Sequence, residues 1–144
     1  MTAGYCVLYV EDDVDHAELV LRGLERRGRR SDVVHVADGV AALDYLRRSE
    51  RAEVPRPKLI LLDLRLPRVD GIVVLRAVRS SPGLASIPVV VLTTSANHDD
   101  INLAYTHHVN SYLLKPSDFR AFEDLVAEVD EYWLALNKQP TAGH

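Results

Sequence analysis

Four consecutive aliphatic residues, Leu59 to Leu62, run without a break into a carboxylate, Asp63. A run that apolar suits a strand buried on both faces of a parallel sheet. Pro67 and the pair Asp70-Gly71 then stop the strand and start a turn, which leaves Asp63 at the strand's carboxyl end, shielded yet reachable. Open α/β sheets bind and react at that edge.

The flanking sequence repeats the pattern. Residues 5–10 form a short apolar strand that ends in Glu11-Asp12-Asp13. Val14, Ala17, Leu21 and Leu24 then mark one face of a helix, capped by Asp13 or Asp15 and stopped at Gly28. Residues 32–36 read as a second strand and Asp38-Gly39 as a turn. Residues 40–48 read as a helix with Val40, Leu43 and Leu46 inward. Polar residues 49–57, with two prolines, make a surface connection. After the Asp63 strand come a helix over 72–80, a break at Ser81-Pro82-Gly83, and a strand over 88–92 that delivers Thr93-Thr94-Ser95. A weakly apolar helix over 99–107 and a strand over 111–114, ending in Lys115-Pro116, complete the alternation. The last helix begins near Ser117 and carries Phe119, Phe122, Val126, Val129, Trp133 and Leu136. Strand and helix alternate five times, which predicts a (βα)5 doubly wound parallel sheet with right-handed crossovers. We expect one domain over 1–144, with a core at about 5–136 and a short tail, 137–144.

Composition narrows the setting. There is no apolar run long enough to span a bilayer and no charged-then-apolar leader, so a soluble cytoplasmic protein is expected, without membrane contact. A formal net charge of −4 argues against direct nucleic-acid binding. The one basic cluster, Arg26-Arg27-Gly28-Arg29-Arg30, is expected to be a solvated loop. Cys6, the single cysteine, reads as a small buried hydrophobe, and His107-His108 as surface histidines rather than metal ligands.

Parallel pairing puts all strand ends on one edge. Glu11, Asp12, Asp63, Thr93 and Lys115 therefore converge, bringing carboxylates, a hydroxyl and an ammonium to one crevice. Three crowded carboxylates raise one another's pKa unless a cation joins them, and Mg²⁺ suits an all-oxygen set that leaves positions for phosphate oxygens. The set reads as a phosphoryl-transfer site whose nucleophile is Asp63, with Lys115 and Thr93 donating to the remaining oxygens of the transferred group.

With these residues placed, the chain resembles the receiver domains of two-component response regulators. The resemblance rests on Glu11-Asp12, on Asp63 with Pro67 and Asp70-Gly71, on Thr93, and on Lys115-Pro116. It implies a flavodoxin-like sheet of strand order 2-1-3-4-5 and phosphorylation of Asp63 by a sensor histidine kinase. It implies Mg²⁺ held by Asp12 directly, Glu11 through water, Asp63, and the backbone carbonyl of Arg65. It also makes Thr93 and Tyr112 a switch that reports phosphorylation to the surface, and puts Arg65 and Ser95 at positions that tune autodephosphorylation. Such a protein is not an enzyme beyond its own phosphotransfer and dephosphorylation. The Val91–Ser95 run, Asn110-Ser111-Tyr112, the insert at 49–57 and Tyr132-Trp133-Leu134 resemble the stand-alone receivers that partner bacterial phytochromes. The chain departs from the common receiver pattern at Thr94, where alanine is usual, and at His108, where a glycine often precedes the fifth strand.

Rival readings differ in chemistry. Phosphatases that pass through an aspartyl-phosphate resemble one another in a second Asp two residues after the nucleophile, and here that position is Arg65. A flavin phosphate would be repelled by Glu11-Asp12-Asp13. An unphosphorylated scaffold that keeps the receiver fold is the remaining alternative. With no output domain expected after the last helix, output would be by protein contact. Tyr132, Trp133, Leu134 and Leu136 lie past the point where the domain's own apolar needs are met, so a homodimer joined by the last helix and tail is expected, the alternative being a tail folded back on its own domain.

Overall fold

The computed structural model describes residues 6–139. Its five strands are β1 (Val7–Val10), β2 (Val33–Val36), β3 (Leu59–Leu62), β4 (Val89–Thr93) and β5 (Ser111–Leu114). They lie in one parallel sheet, in the order β2-β1-β3-β4-β5. Between and after them run α1 (Val14–Arg26), α2 (Gly39–Glu50), α3 (Gly71–Ser80), α4 (His98–Thr106) and α5 (Phe119–Val129). The (βα)5 architecture is as the alternation predicts, and the flavodoxin-like strand order is as the receiver resemblance implies.

Period-two alternation gives the sheet two cores. Leu8, Val10, Ile60, Leu62, Val89 and Val91 pack under α2, α3 and Ala104 of α4. Val7, Tyr9, Leu59, Leu61, Val90 and Leu92 pack under α1 and α5. With both faces covered, β1, β3 and β4 are buried at every position, which is why their sequences are apolar runs. Among the described residues no helix is long and apolar enough to cross a membrane.

Acidic or amide side chains cap all five helices: Asp13 for α1, Asp38 for α2, Asp70 for α3, Asn97 for α4 and Asp118 for α5 each accept a backbone N–H of the first turn. Helix α4 ends with His108 at φ 65°, where the His108 and Val109 N–H groups bond the Tyr105 and Ala104 carbonyls. This left-handed stop is the physical reason a glycine is common there.

Some inward assignments fail. Val14 and Phe119, each the first residue of its helix, are 80% and 54% exposed, and Val40 is also exposed, because a first turn overhangs the sheet edge. Tyr5 lies outside the described residues. The basic cluster is not a solvated loop. Arg26 pairs with Glu123, Arg27 with Asp130 and Glu131, and Arg29 with Asp130 at 2.7 Å. Arg26 ties α5 to α1, and Arg27 and Arg29 fasten the chain past α5, where Asp130–Leu136 continues as a π-helical segment, onto the end of α1. Leu134 is consequently a buried member of the α1–α5 core, and Trp133 packs against the same core. The burial of Leu134 corrects the expectation that it lies at an interface, whereas Trp133 stays half-buried. Tyr132 and Leu136 remain exposed, at 53% and 61%.

Candidate functional site at the carboxyl edge of the sheet

Strand register aligns the site. Val10 pairs with Leu62, so Glu11 and Asp63 leave neighbouring strands side by side; Thr93 pairs with Leu114, so Lys115 follows one step later. The backbone ladder extends into the site through Asp63 N–H to Val10 O (3.1 Å) and Lys115 N–H to Thr93 O (2.8 Å). Gly71, opening α3, lies against the peptide after Asp63. A Cβ there would collide with the Asp63 carbonyl oxygen and with the Leu64 Cα. The turn Asp70-Gly71 thus packs the α3 start directly behind Asp63.

The Lys115 ammonium sits at the centre, buried, and donates to Glu11 Oε1 at 2.6 Å and Asp63 Oδ2 at 2.9 Å. Its third neighbour is His16 Nδ1 at 2.9 Å. Asp63 Oδ1 accepts the Arg65 N–H at 3.2 Å. Glu11 is 1% exposed, and burial pushes its carboxyl up to about 7 against the lowering effect of Lys115, with the Asp63 charge raising it further. Asp12 is exposed at the mouth. One carboxylate oxygen from each of Glu11, Asp12 and Asp63 lies within 4.8 Å of the others. Hard oxygens from charged groups, one of them raised by crowding and burial, are a donor set that fits a hard divalent cation.

Around this centre Thr93, Ser95, Asp100 and Tyr112 form a second network. Thr93 is fully buried, and its Oγ1 accepts the Ser95 N–H at 3.3 Å. The Tyr112 hydroxyl donates to the Ser95 carbonyl at 2.8 Å. The Ser95 hydroxyl donates to Asp100 Oδ2 at 2.6 Å, and the same carboxylate oxygen pairs with the Arg65 guanidinium. Thr94 is exposed and lines, with His16, Lys115 and Phe119, a groove of about 500 Å³ between α1 and α5.

The structure thus brings Glu11, Asp12, Asp63 and Lys115 together, and Thr93 to the same edge. His16 and Asp100 escaped the sequence reading. His16 carried a weak signal, lying about one helical turn past the acidic pair, on the side of α1 that returns to the sheet. Asp100 carried none, since its tie to Arg65 crosses two loops. His107 and His108 form no metal cluster among the described residues, and Cys6 is buried with its Sγ 3.3 Å from the Tyr45 hydroxyl.

Residues 7–128 match the model of the response regulator receiver domain. The chain belongs to the response regulator receiver family. Over 136 residues this receiver is 48% identical to the probable methanogenesis regulatory protein FilR2 of Methanothrix harundinacea, covering 94% of the chain and 88% of that protein. It is 39% identical over 137 residues to response regulator Rcp1 of Synechocystis sp., covering 94% and 93%. Its fold superposes on the phosphorylated cyanobacterial phytochrome response regulator RcpA with a TM-score of 0.90 and 41% identity, covering 96% of this chain and 100% of that one. On the Mn²⁺-bound form of Rcp1 the TM-score is 0.86 at 38% identity, covering 95% and 99%. The receiver is therefore homologous to phytochrome response regulators.

Proposed function

We propose that this receiver accepts a phosphoryl group from a histidine kinase onto Asp63 and signals by protein contact. One observation carries the reading: a buried lysine bridges the strand-end Asp63 to Glu11, beside a third carboxylate from Asp12. In the transfer, an Asp63 carboxylate oxygen bonds to phosphorus as the bond from phosphorus to the kinase's imidazole nitrogen breaks, and that nitrogen leaves with the electron pair. Lys115, already bonded to Asp63, follows the negative charge onto a phosphoryl oxygen, and Thr93 turns its hydroxyl to another. Asp12, Asp63, the Arg65 carbonyl and, through water, Glu11 would hold Mg²⁺, which when bound supplies positive charge against the incoming phosphoryl group. The family's phosphorylated RcpA and Mn²⁺-bound Rcp1 support a divalent ion and a phosphoacceptor in this fold.

The protein would act in the cytoplasm, paired with a phytochrome-type sensor kinase and self-catalysing only its own phosphotransfer and dephosphorylation. Exposed Tyr132 and Leu136, on the segment that the arginines hold in place, would join two copies. Because Leu134 belongs to the core, the test of the dimer is Tyr132→Glu with Leu136→Glu rather than truncation. Light scattering should show the wild type as a dimer and the double variant as a monomer.

The deciding experiment incubates the protein and Mg²⁺ with labelled, autophosphorylated kinases of several sensor types. Label should pass from a phytochrome-type kinase to wild type and not to Asp63→Asn. No transfer from any kinase, with stable fold and Mg²⁺ present, would favour the unphosphorylated scaffold.

A further inference from the structure

His16 touches the centre without being part of its acidic set. Its Nδ1 stands 2.9 Å from the Lys115 ammonium and 3.6 Å from Asp13 Oδ2, so one ring nitrogen faces a cation and an anion. An ammonium only donates hydrogen bonds; beside Lys115, Nδ1 must therefore accept, and the ring proton must sit on Nε2. Lys115 has three N–H groups and three acceptors, namely Glu11 Oε1, Asp63 Oδ2 and His16 Nδ1. Each acceptor fixes one direction of the ammonium, so losing one frees it to swing. The Phe122 ring backs the imidazole at 5.9 Å between centroids, while the side chain keeps 30% exposure to solvent.

We infer that His16 is a positioning residue for the phosphoacceptor centre: neutral, it holds the Lys115 ammonium against Asp63, and protonated, it turns to Asp13 and releases Lys115. A protonated Nδ1 can no longer accept, and two cations at that distance repel, whereas the Asp13 carboxylate is already in place to receive the new N–H. Asp13 is available as an anion because the His16 backbone N–H, its capping partner, holds its carboxyl below the usual range. Other charges near the ring are Asp118, which lines the same groove from the start of α5, and Glu11 and Asp63, which face it through Lys115. The inference rests on the assignment of Asp63 as phosphoacceptor.

The test uses the full chain with Mg²⁺ and acetyl phosphate, following phosphorylated protein by intact mass from pH 8 to 5.5. In this reaction the bond from phosphorus to acetate breaks as the bond to Asp63 forms, and acetate leaves with the electron pair. Wild type should lose rate on acidification by about tenfold more than His16→Asn, the size expected for losing one hydrogen bond to a charged group. Asparagine keeps an acceptor near the Nδ1 position and does not titrate, so it should restore the pH 8 rate that His16→Leu loses. Glu11, which shares the Lys115 ammonium with His16, is unchanged in every variant. In resting wild type at pH 8, imidazole nitrogen spectra should show His16 with its proton on Nε2. Superimposable pH profiles for wild type and His16→Asn, or a proton on Nδ1 at pH 8, would overturn the inference. Phosphorylation of Asp63→Asn at the wild-type rate would instead overturn the underlying phosphoacceptor assignment.

Discussion

The Arg65 guanidinium and the Asp100 carboxylate form an ion pair that ties the loop after β3 to the start of α4. Asp100 also accepts the Ser95 hydroxyl, and the Ser95 carbonyl receives the Tyr112 hydroxyl, so the loops after β3 and β4, the start of α4 and β5 share one set of bonds. The Ser95 bond, then the Arg65 pair, hold the Asp100 carboxyl below its usual range. In Asp100→Ala these ties are lost, and the resting chain should shift toward the conformation that beryllofluoride induces. Arg65 is 63% exposed, so the bias should be at most about 1 kcal/mol, a shift of a few-fold in population. Amide spectra of β5 and α4 in the unliganded variant, compared with wild type plus and minus the mimic, measure it. Unmoved spectra would show that Asp100 does not restrain the switch.

Metal dependence follows from the three carboxylates. Asp12→Ala should weaken divalent-ion binding by roughly 10–100-fold or more, since removing outer-shell partners alone has effects of that size. Titration of the metal followed by calorimetry checks this without phosphotransfer. Asp63→Asn should keep the fold and lose phosphate acceptance.

Burial raises Glu11 to about 7 from an ordinary value of 4.5. A group whose folded value is raised contributes stability that is present below the unfolded value and is lost as pH climbs through the folded one. In chelator, the protein should therefore lose stability between about pH 4.5 and 7. Glu11→Gln should flatten that part of the curve, and urea titrations at several pH values would show it.

The segment after α5 divides by side chain. Leu134→Ala removes a buried core group and should cost about 2–5 kcal/mol, whereas Leu136→Ala, at 61% exposure, should stay within about 0.5 kcal/mol of wild type. Asp130→Ala should also destabilise, because it strips the shared partner from Arg27 and Arg29. Chemical denaturation of the three variants separates the cases.

His108 adopts φ 65° with its backbone already satisfied by the α4 stop. His108→Gly should raise stability by up to about 1 kcal/mol by relieving the left-handed cost of a side chain. Equal or lower stability would mean that the imidazole makes compensating contacts.

The sequence by itself determined the alternation, the buried strands and the residues that step off their ends. Leu59–Leu62 running into Asp63, and the apolar runs ending at Glu11, Thr93 and Lys115, suffice because a parallel sheet places every strand end on one edge whatever the helices do. Tertiary structure alone decided what lies between distant parts of the chain. Arg27 and Arg29 find Asp130 about a hundred residues later and pull Leu134 into the core. His16 reaches Lys115 only because α1 and the end of β5 meet at the same corner, and Arg65 reaches Asp100 only because the loop after β3 folds toward the start of α4. Local periodicity records which face of an element is apolar. The partner of a charged side chain depends on where another element ends in space, and no pattern of neighbouring residues encodes that distance.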